Sequence, residues 1–335
     1  MKKAIYGAGA LGKKLLELFE KINIEVDAFL QTDKSEVNKI NDIPVLTYHE
    51  FTELKEEWNI FIAINNDDVI DEIKKEFIKS KYNMNLVFDM KNFIIDNDVN
   101  FKLGERECIL CGYPLEKFTP FGLNSTLFEE KNVVGGGYRE NAICPCCGSL
   151  DHTRWIYWII QQYTDIFSRD CTIVHFAPEK SLRKKLENAS GCDYYAADIC
   201  NDGKVHKIDV TQMPFKDKFA DYIIINHVLE HVPNEKLAVY EMMRVLREGG
   251  KIIMSFPISL DTPTFEDEKI VTEIEREMYF GQKDHVRLYG NDYRERLEQY
   301  GLNVESYSPS DYFSKENIEK FGFIENDIAI ICSMN

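Results

Sequence analysis

The chain has 335 residues, 44% of them hydrophobic and 29% charged, with a formal net charge of −17. That apolar share supports sizeable cores in more than one average domain, and no apolar run reaches membrane-spanning length. The acidic excess argues against a phosphate-backbone partner, because nucleic-acid binders rely on basic patches that release counterions.

Met1-Lys-Lys-Ala-Ile-Tyr6 leads straight into a strand and not into a signal peptide's apolar stretch and cleavage site, so a cytoplasmic protein is expected. Gly7-Ala-Gly-Ala-Leu-Gly12 follows, then a helix with Leu11, Leu15, Leu18, Phe19 and Ile22 on one side. A dinucleotide site built on Gly-x-Gly-x-x-Gly needs strand and helix flanks, present here, and an acid after the second strand. That strand, residues 26–30, ends at Gln31, with Asp33 slightly beyond, so an NAD ribose lacks its usual acceptor. Gly7, Gly9 and Gly12 either hold a nucleotide or nucleotide-sugar phosphate at the helix N-terminus or permit close strand–helix packing, and both readings stand. Strands at residues 59–64 and 86–88 and a helix at 67–79 continue the alternation to about residue 95. With Asn41-Asp-Ile-Pro-Val45, this segment resembles the small Rossmann-like domains of bacterial sugar-modifying and polysaccharide-associated enzymes. The resemblance implies a carbohydrate or nucleotide-sugar substrate.

Four of the nine cysteines fall in two matching turns, Cys108-Ile-Leu-Cys111-Gly112 and Cys144-Pro-Cys-Cys147-Gly148. Each turn can aim two thiolates at one metal, and the pair completes a tetrahedral zinc-ribbon site that is structural, with no position left for water. Cys146 is an ambiguous fifth thiol. A reducing compartment and the second matching turn disfavour a redox pair or disulfide. Cys171, Cys192, Cys200 and Cys332 lack partner spacing and are expected as buried small apolar residues. Gly135-Gly-Gly-Tyr-Arg139 reads as a flexible loop whose Arg139 could reach an anionic substrate or a cofactor carboxylate. Residues 151–167 predict an aromatic helix, with Trp155, Trp158 and Ile159 in the core, that covers a sheet edge and couples the cysteine module to it.

Next, Thr172-Ile-Val-His-Phe-Ala-Pro-Glu-Lys-Ser-Leu182 predicts a strand broken at Pro178 before a basic helix. Lys180, Arg183, Lys184 and Lys185 fit its solvated face. Ala177 allows a ligand close to the backbone, and the helix start after Glu179 offers unpaired N–H groups. Asp193-Tyr-Tyr-Ala-Ala-Asp198 is a short strand ending in an acid, and Asp209 begins the turn after a second one. Such carboxylates accept ribose or adenine donors, or serve as ordinary turn acids. Residues 222–225 form an apolar run suited to a strand buried on both faces, with Asn226, His227, Glu230 and His231 facing a cleft at its carboxyl end. A helix over 234–247 is expected to end at Gly249-Gly250 before a strand at 251–255. Residues 258–283 carry too little pattern for a regular sheet element and read as a lid. Asp284-His285-Val-Arg287 then precedes a helix at 292–300, and strands at 303–307 and 327–332 would form an antiparallel hairpin.

Taken together, residues 172–255 resemble the centre of a class I S-adenosylmethionine-dependent methyltransferase, methyltransferase type 11-like. The resemblance implies an α/β fold with a seven-stranded sheet and helices on both faces. It places Phe176, Ala177, Pro178 and Glu179 at the cofactor loop, Asp198 at the ribose, Asp209 and Val210 at the adenine, and Asn226 and His227 alongside. The sequence departs from the family at His175, where an acid is usual, and at Ala177 and Glu179, where glycines are usual. A subset of these enzymes carries a similar Ala-Pro-Glu turn, and related ones a similar Asp-His-Val-Arg segment.

Methyl transfer from a sulfonium depends on positioning and water exclusion, and a hydroxyl acceptor must also lose its proton. His285 and His231, then Glu230, are the candidate general bases. The expected organisation is a Rossmann-like domain at 1–98, a zinc-ribbon module at 99–150 and the methyltransferase domain at 151–335. The expected reaction is O- or N-methylation of a small or carbohydrate acceptor, with a homo-oligomer left open. The alternatives are a non-catalytic scaffold with a degenerate cofactor site, a zinc-containing RNA methyltransferase and, last, a nicotinamide oxidoreductase.

Overall fold

The computed structural model describes every residue except 1, 21–23, 33–37, 57, 65–66, 81, 91–105, 116, 123, 201–204 and 335. Ile22, Asp33 and the expected boundary at residues 98–99 lie outside the described residues. The chain divides into two compact units, residues 1–105 with 111–116, and residues 106–110 with 117–335. No helix among the described residues is long and apolar enough to cross a membrane.

The first unit holds β1 (Lys3–Tyr6), β2 (Ala28–Gln31), β3 (Lys39–Ile40), β4 (Ile43–Thr47), β5 (Asn59–Ile62) and β6 (Val87–Asp89), in the sheet order β3-β4-β2-β1-β5-β6. All pairings are parallel except β3 with β4. Helices α1 (Ala10–Glu20), α2 (Tyr48–Glu53) and α3 (Asp67–Lys79) complete the α/β alternation read from the sequence. A Cβ at Gly12 would fall 1.7 Å from the Gly7 carbonyl oxygen, so close packing by itself demands this glycine. Nothing lies within 4 Å of such an atom at Gly9.

In chain order the next elements are β7 (Arg106–Cys108), β8 (Tyr113–Leu115), β9 (Thr119–Phe121), α4 (Thr126–Glu130), β10 (Val133–Val134), β11 (Arg139–Ile143) and α5 (Asp151–Tyr163). There follow β12 (Cys171–Phe176), α6 (Lys180–Glu187), β13 (Cys192–Asp198), β14 (His206–Lys207), β15 (Ala220–Asn226), α7 (Glu235–Val245), β16 (Leu246–Ser255) and β17 (Ile258–Ser259). The last elements are α8 (Glu273–Phe280), α9 (Tyr293–Glu298), β18 (Leu302–Tyr307), α10 (Lys315–Phe321) and β19 (Ala329–Met334).

The main sheet of the second unit has seven strands in the order β14-β13-β12-β15-β16-β19-β18. Its first five strands run parallel, and β19 and β18 form the expected antiparallel hairpin. Every residue of β12 and β15 is buried, as the continuous apolar runs require.

Two expectations are corrected here. α7 stops at Val245, before the glycine pair, and Leu246–Ser255 is all strand. Gly249 adopts φ +75° within a register shift, and a Cβ at Gly250 would lie 2.8 Å from the Asp221 carbonyl oxygen. The two glycines therefore form a bulge pressed on β15 and do not end the helix. The segment at 258–283, expected to hold no regular sheet element, contributes the short β17, which pairs with β10; it also holds α8, which starts with a capping box between Thr272 and Glu275.

Helix α5 packs on β16, β19 and β11, so it joins the cysteine-bearing segment to interior strands of the sheet and does not cover an edge, which β14 and β18 form. The tie is Arg154, fully buried. Its guanidinium donates to the carbonyls of Ala142 (2.9 Å), Ser149 (2.8 Å), Phe321 (2.9 Å) and Gly322 (2.6 Å), and stacks 3.9 Å from the Phe118 ring centroid. Burying a charge is tolerated only when its donors are used, and here they fasten two chain segments to one helix. Arg154→Ala should lower unfolding free energy by roughly 3–5 kcal/mol, because it breaks a buried charged network. Urea unfolding followed by the fluorescence of Trp155 and Trp158 would measure this.

Candidate active site at the carboxyl ends of the parallel strands

Polar side chains on four parallel strands bond to one another in a row, at the carboxyl ends of β12, β15 and β16 and from within β13. Tyr194 on β13 meets His175 Nδ1 on β12 at 2.9 Å, and His175 Nε2 meets Glu179 Oε2 at 3.0 Å. Glu179 Oε1 accepts from Asn226 Nδ2 on β15 at 3.0 Å, and Asn226 Oδ1 accepts from the Ser255 hydroxyl on β16 at 3.2 Å. The acid that the family keeps at the end of its first strand is absent from the sequence at His175. In the fold, a carboxylate reaches that strand end from Glu179, four residues later. Burial opposes its ionisation, but the hydrogen bond and charge of His175 outweigh burial and hold the carboxyl below its usual range. With Glu179 ionised, His175 donates to it through Nε2, and its Nδ1 pairs with the Tyr194 hydroxyl.

Because the Glu179 side chain turns back toward the strands, it does not cap α6, which starts with no side-chain cap. Ala177 takes φ 42° and is exposed in the loop. An uncapped helix start beside a small residue suits a ligand that approaches the backbone. Phe176 itself is buried in the core, so only its main chain can serve there.

Asp198 stands at the end of β13 and accepts from the Cys200 amide at 2.8 Å. Asp209 accepts from the Thr211 amide (2.8 Å) and hydroxyl (2.7 Å), the pattern of a turn acid, and Val210 packs into the core.

Beyond β15 the chain turns through His227, at φ 52°. His227 Nδ1 lies 3.3 Å from Glu230 Oε1, and its ring centroid is 4.3 Å from that of His152 on α5. Burial works against both charges of the His227–Glu230 pair, yet each stabilises the other, raising the imidazole and lowering the carboxyl. His227 Nε2, both Glu230 oxygens and His152 Nδ1 are buried without a hydrogen bond, although His152 Nδ1 lies 3.5 Å from Asp151 Oδ1. Unsatisfied buried polar atoms are rare, and several together mark a place where a bound molecule supplies the partners. These residues fit a polar cofactor and acceptor.

His285 is buried beside them, its Nδ1 3.2 Å from the Phe280 carbonyl, and its ring centroid 4.7 Å from that of His231. Burial holds its imidazole below the usual range, against the pull of Glu230. The fold thus gathers all three candidate bases. Sequence reasoning missed His152, which it read as part of a core helix, and Tyr194 and Ser255. For His152 and Ser255 the signal was only a polar residue near a helix or strand end, and Tyr194 within β13 gave none.

Arg139 is not available to an anionic ligand: it forms an ion pair at 2.6 Å with Asp151, which is buried at the start of α5. Burial opposes the Asp151 charge, but His152 and Arg139 hold its carboxyl far below the usual range.

The sulfurs of Cys108, Cys111, Cys144 and Cys147 lie within 4.8 Å of one another, and Cys146 is outside this group. Zinc–sulfur bonds of about 2.3 Å in a tetrahedron separate the sulfurs by about 3.8 Å. Cys108 and Cys147 stand 3.7 Å apart, with the buried Ser149 hydroxyl 3.3 and 3.1 Å from them. The donor set fits zinc. Of the other cysteines, Cys332 is buried as expected, but Cys200 is exposed. Cys171 and Cys192 are opposed across β12 and β13 with sulfurs 2.7 Å apart, a pairing that strand register alone creates.

A seven-stranded sheet with this strand order, with a polar site at the ends of its parallel strands, is the class I methyltransferase fold. Residues 165–254 match the family model described as a methyltransferase domain. An uncharacterized protein of Methanocaldococcus jannaschii is 33% identical over 90 residues, 27% of this chain and 42% of that protein. A demethylmenaquinone methyltransferase of Staphylococcus haemolyticus is 24% identical over 163 residues, 48% of this chain and 58% of that protein. The chain spans about half the length of the curated relatives it matches. Among solved structures, an Archaeoglobus fulgidus SAM-dependent methyltransferase has a TM-score of 0.36 at 16% identity, covering 53% of this chain and 92% of that one. A Burkholderia thailandensis 1,6-didemethyltoxoflavin-N1-methyltransferase, solved with its acceptor and S-adenosylhomocysteine, has a TM-score of 0.36 at 11% identity, covering 54% and 76%.

Replacing Glu179 by Ala strips His175 and Asn226 of their shared acceptor. The expected loss is about 2–4 kcal/mol, while Glu179→Gln, which keeps one acceptor, costs less. Chemical denaturation of the two variants would reveal the difference, and equal stability to wild type would show that the bridge is idle.

Proposed function

We propose that this protein transfers a methyl group from S-adenosylmethionine to an oxygen or nitrogen of a small acceptor, a carbohydrate or sugar nucleotide. The observation that carries the reading is the group of unsatisfied buried polar atoms on His152, His227 and Glu230 beside the carboxyl ends of β12 and β15. When bound, S-adenosylmethionine supplies a methyl group activated by its sulfonium. The main chain of Phe176, Ala177 and Pro178 and the start of α6 hold the cofactor's polar end, with Glu179 setting the loop. Asp198 accepts from the ribose, and Asp209 with Val210 borders the adenine. Asn226 and His227 face the methionine portion. His285 takes the acceptor's proton through Nε2, with His231 and Glu230 beside it, while the surrounding side chains exclude water. The acceptor class comes from the N-terminal domain's resemblance to sugar-modifying enzymes.

Three modules serve this reading: residues 1–98 as a Rossmann-like domain, 99–150 as a zinc ribbon and 151–335 as the methyltransferase. In the ribbon, Cys108, Cys111, Cys144 and Cys147 hold one structural zinc, and the Ser149 hydroxyl hydrogen-bonds its thiolates.

Calorimetry with S-adenosylhomocysteine should show micromolar binding that Asp198→Ala weakens roughly ten- to a hundredfold, the cost of about one or two charged hydrogen bonds. Absence of heat with the wild-type protein as well as the variant would defeat the reading and favour a non-catalytic binding role. Protein purified without chelator should carry one zinc per chain by atomic emission, lost in Cys147→Ser, with a lower melting temperature. Zinc-free wild type of unchanged melting temperature would exclude the ribbon.

A further inference from the structure

We propose that Glu230, His231 and His285 form a second metal site, distinct from the four cysteines, that takes a divalent first-row cation through nitrogen and oxygen ligands. One ligand atom from each residue lies within 4.8 Å of the others. Glu230 and His285 are each only 1% exposed. The Glu230 carboxylate accepts no hydrogen bond, and the His227 imidazole 3.3 Å from Oε1 leaves Oε2 with nothing. A buried carboxylate in that condition is costly, and a coordinated cation removes the cost.

The surroundings have the form of a metal site's supporting shell. His285 donates from Nδ1 to the Phe280 carbonyl, which fixes its ring and presents Nε2, as ligating histidines do. Arg287 donates to the carbonyls of Leu229, Val232 (2.7 Å) and Pro233 (3.2 Å), and the Val286 amide to that of Glu230 (2.8 Å). These bonds clamp the turn that carries Glu230 and His231 against the segment that carries His285. His231 is one-third exposed, and the largely exposed Asp284 carboxylate lies 3.3 Å from its Nδ1, so ions can enter from that side. Two imidazoles and a carboxylate suit manganese, iron, cobalt or zinc, whereas the four thiolates select zinc.

This inference deepens the methyltransferase reading and rests on it for the cation's role. The three side chains are then ligands, and cation-bound hydroxide is the proton acceptor in place of a bare imidazole. Hydroxide takes the acceptor's proton and becomes water. The acceptor oxygen bonds to the methyl carbon as the carbon–sulfur bond breaks, its electron pair staying on a neutral thioether, and the cation's oxidation state does not change.

Mn²⁺ is the probe, because it avoids thiolates and its free ion is counted by electron paramagnetic resonance. Full-length protein carrying one equivalent of zinc, which the four thiolates take, should bind one Mn²⁺ saturably, and Glu230→Gln and His231→Gln should each weaken that binding at least tenfold. Thermal melts report the folding of both variants, and the partly exposed position of His231 keeps the test valid if Glu230→Gln does not fold. No saturable Mn²⁺ binding by wild type, or binding that neither folded variant weakens, overturns the proposal. Neither measurement requires turnover, so S-adenosylhomocysteine binding without Mn²⁺ binding defeats this inference alone, and loss of both defeats the methyltransferase reading as well.

Discussion

Glu179 must stay ionised between His175 and Asn226, and the arrangement of the site follows from that constraint. Its two oxygens join the ends of β12 and β15, the central strands of the sheet. Tyr194 and Ser255 extend the same row to β13 and β16. A buried carboxylate is affordable only with such partners, and in return it orients each of them. The same bond occupies the Ala177-Pro178-Glu179 turn: the Glu179 side chain turns back to His175, which leaves the start of α6 uncapped.

A second constraint operates around α5. Arg154 draws backbone carbonyls from the cysteine-bearing segment and from the end of α10 onto one guanidinium. One turn earlier, Asp151 holds Arg139, and His152 lies against His227. The helix therefore joins the region of the thiolates to the polar group beyond β15 through side chains on its first turns. A residue that seemed free to meet an anion, Arg139, is instead part of this framework.

Much of the fold was legible because periodicity reports burial directly. The apolar runs of β12 and β15, the span of α3 and the closing β18–β19 hairpin all follow from local pattern. The errors have local causes too. Gly249-Gly250 carries the same signature for a helix stop and for a bulge, and only the approach of Gly250 to the Asp221 carbonyl distinguishes them. The α8 segment was passed over because its apolar residues, Val271, Ile274 and Met278, are exposed and give no core stripe, although Thr272 and Glu275 spell a capping box.

The candidate site divides in the same way. The sequence by itself determined the strand ends at Asp198 and Asn226, the four-cysteine spacing and the candidate bases, because residue type and spacing along one element dictate those features. Only the tertiary structure decided that Glu179 bridges His175 and Asn226, that His152 faces His227, that Cys171 meets Cys192 and that Glu230, His231 and His285 converge. Each of those contacts joins different elements or depends on where a turn aims a side chain, and strand register and helix packing, which no local pattern encodes, set their distances.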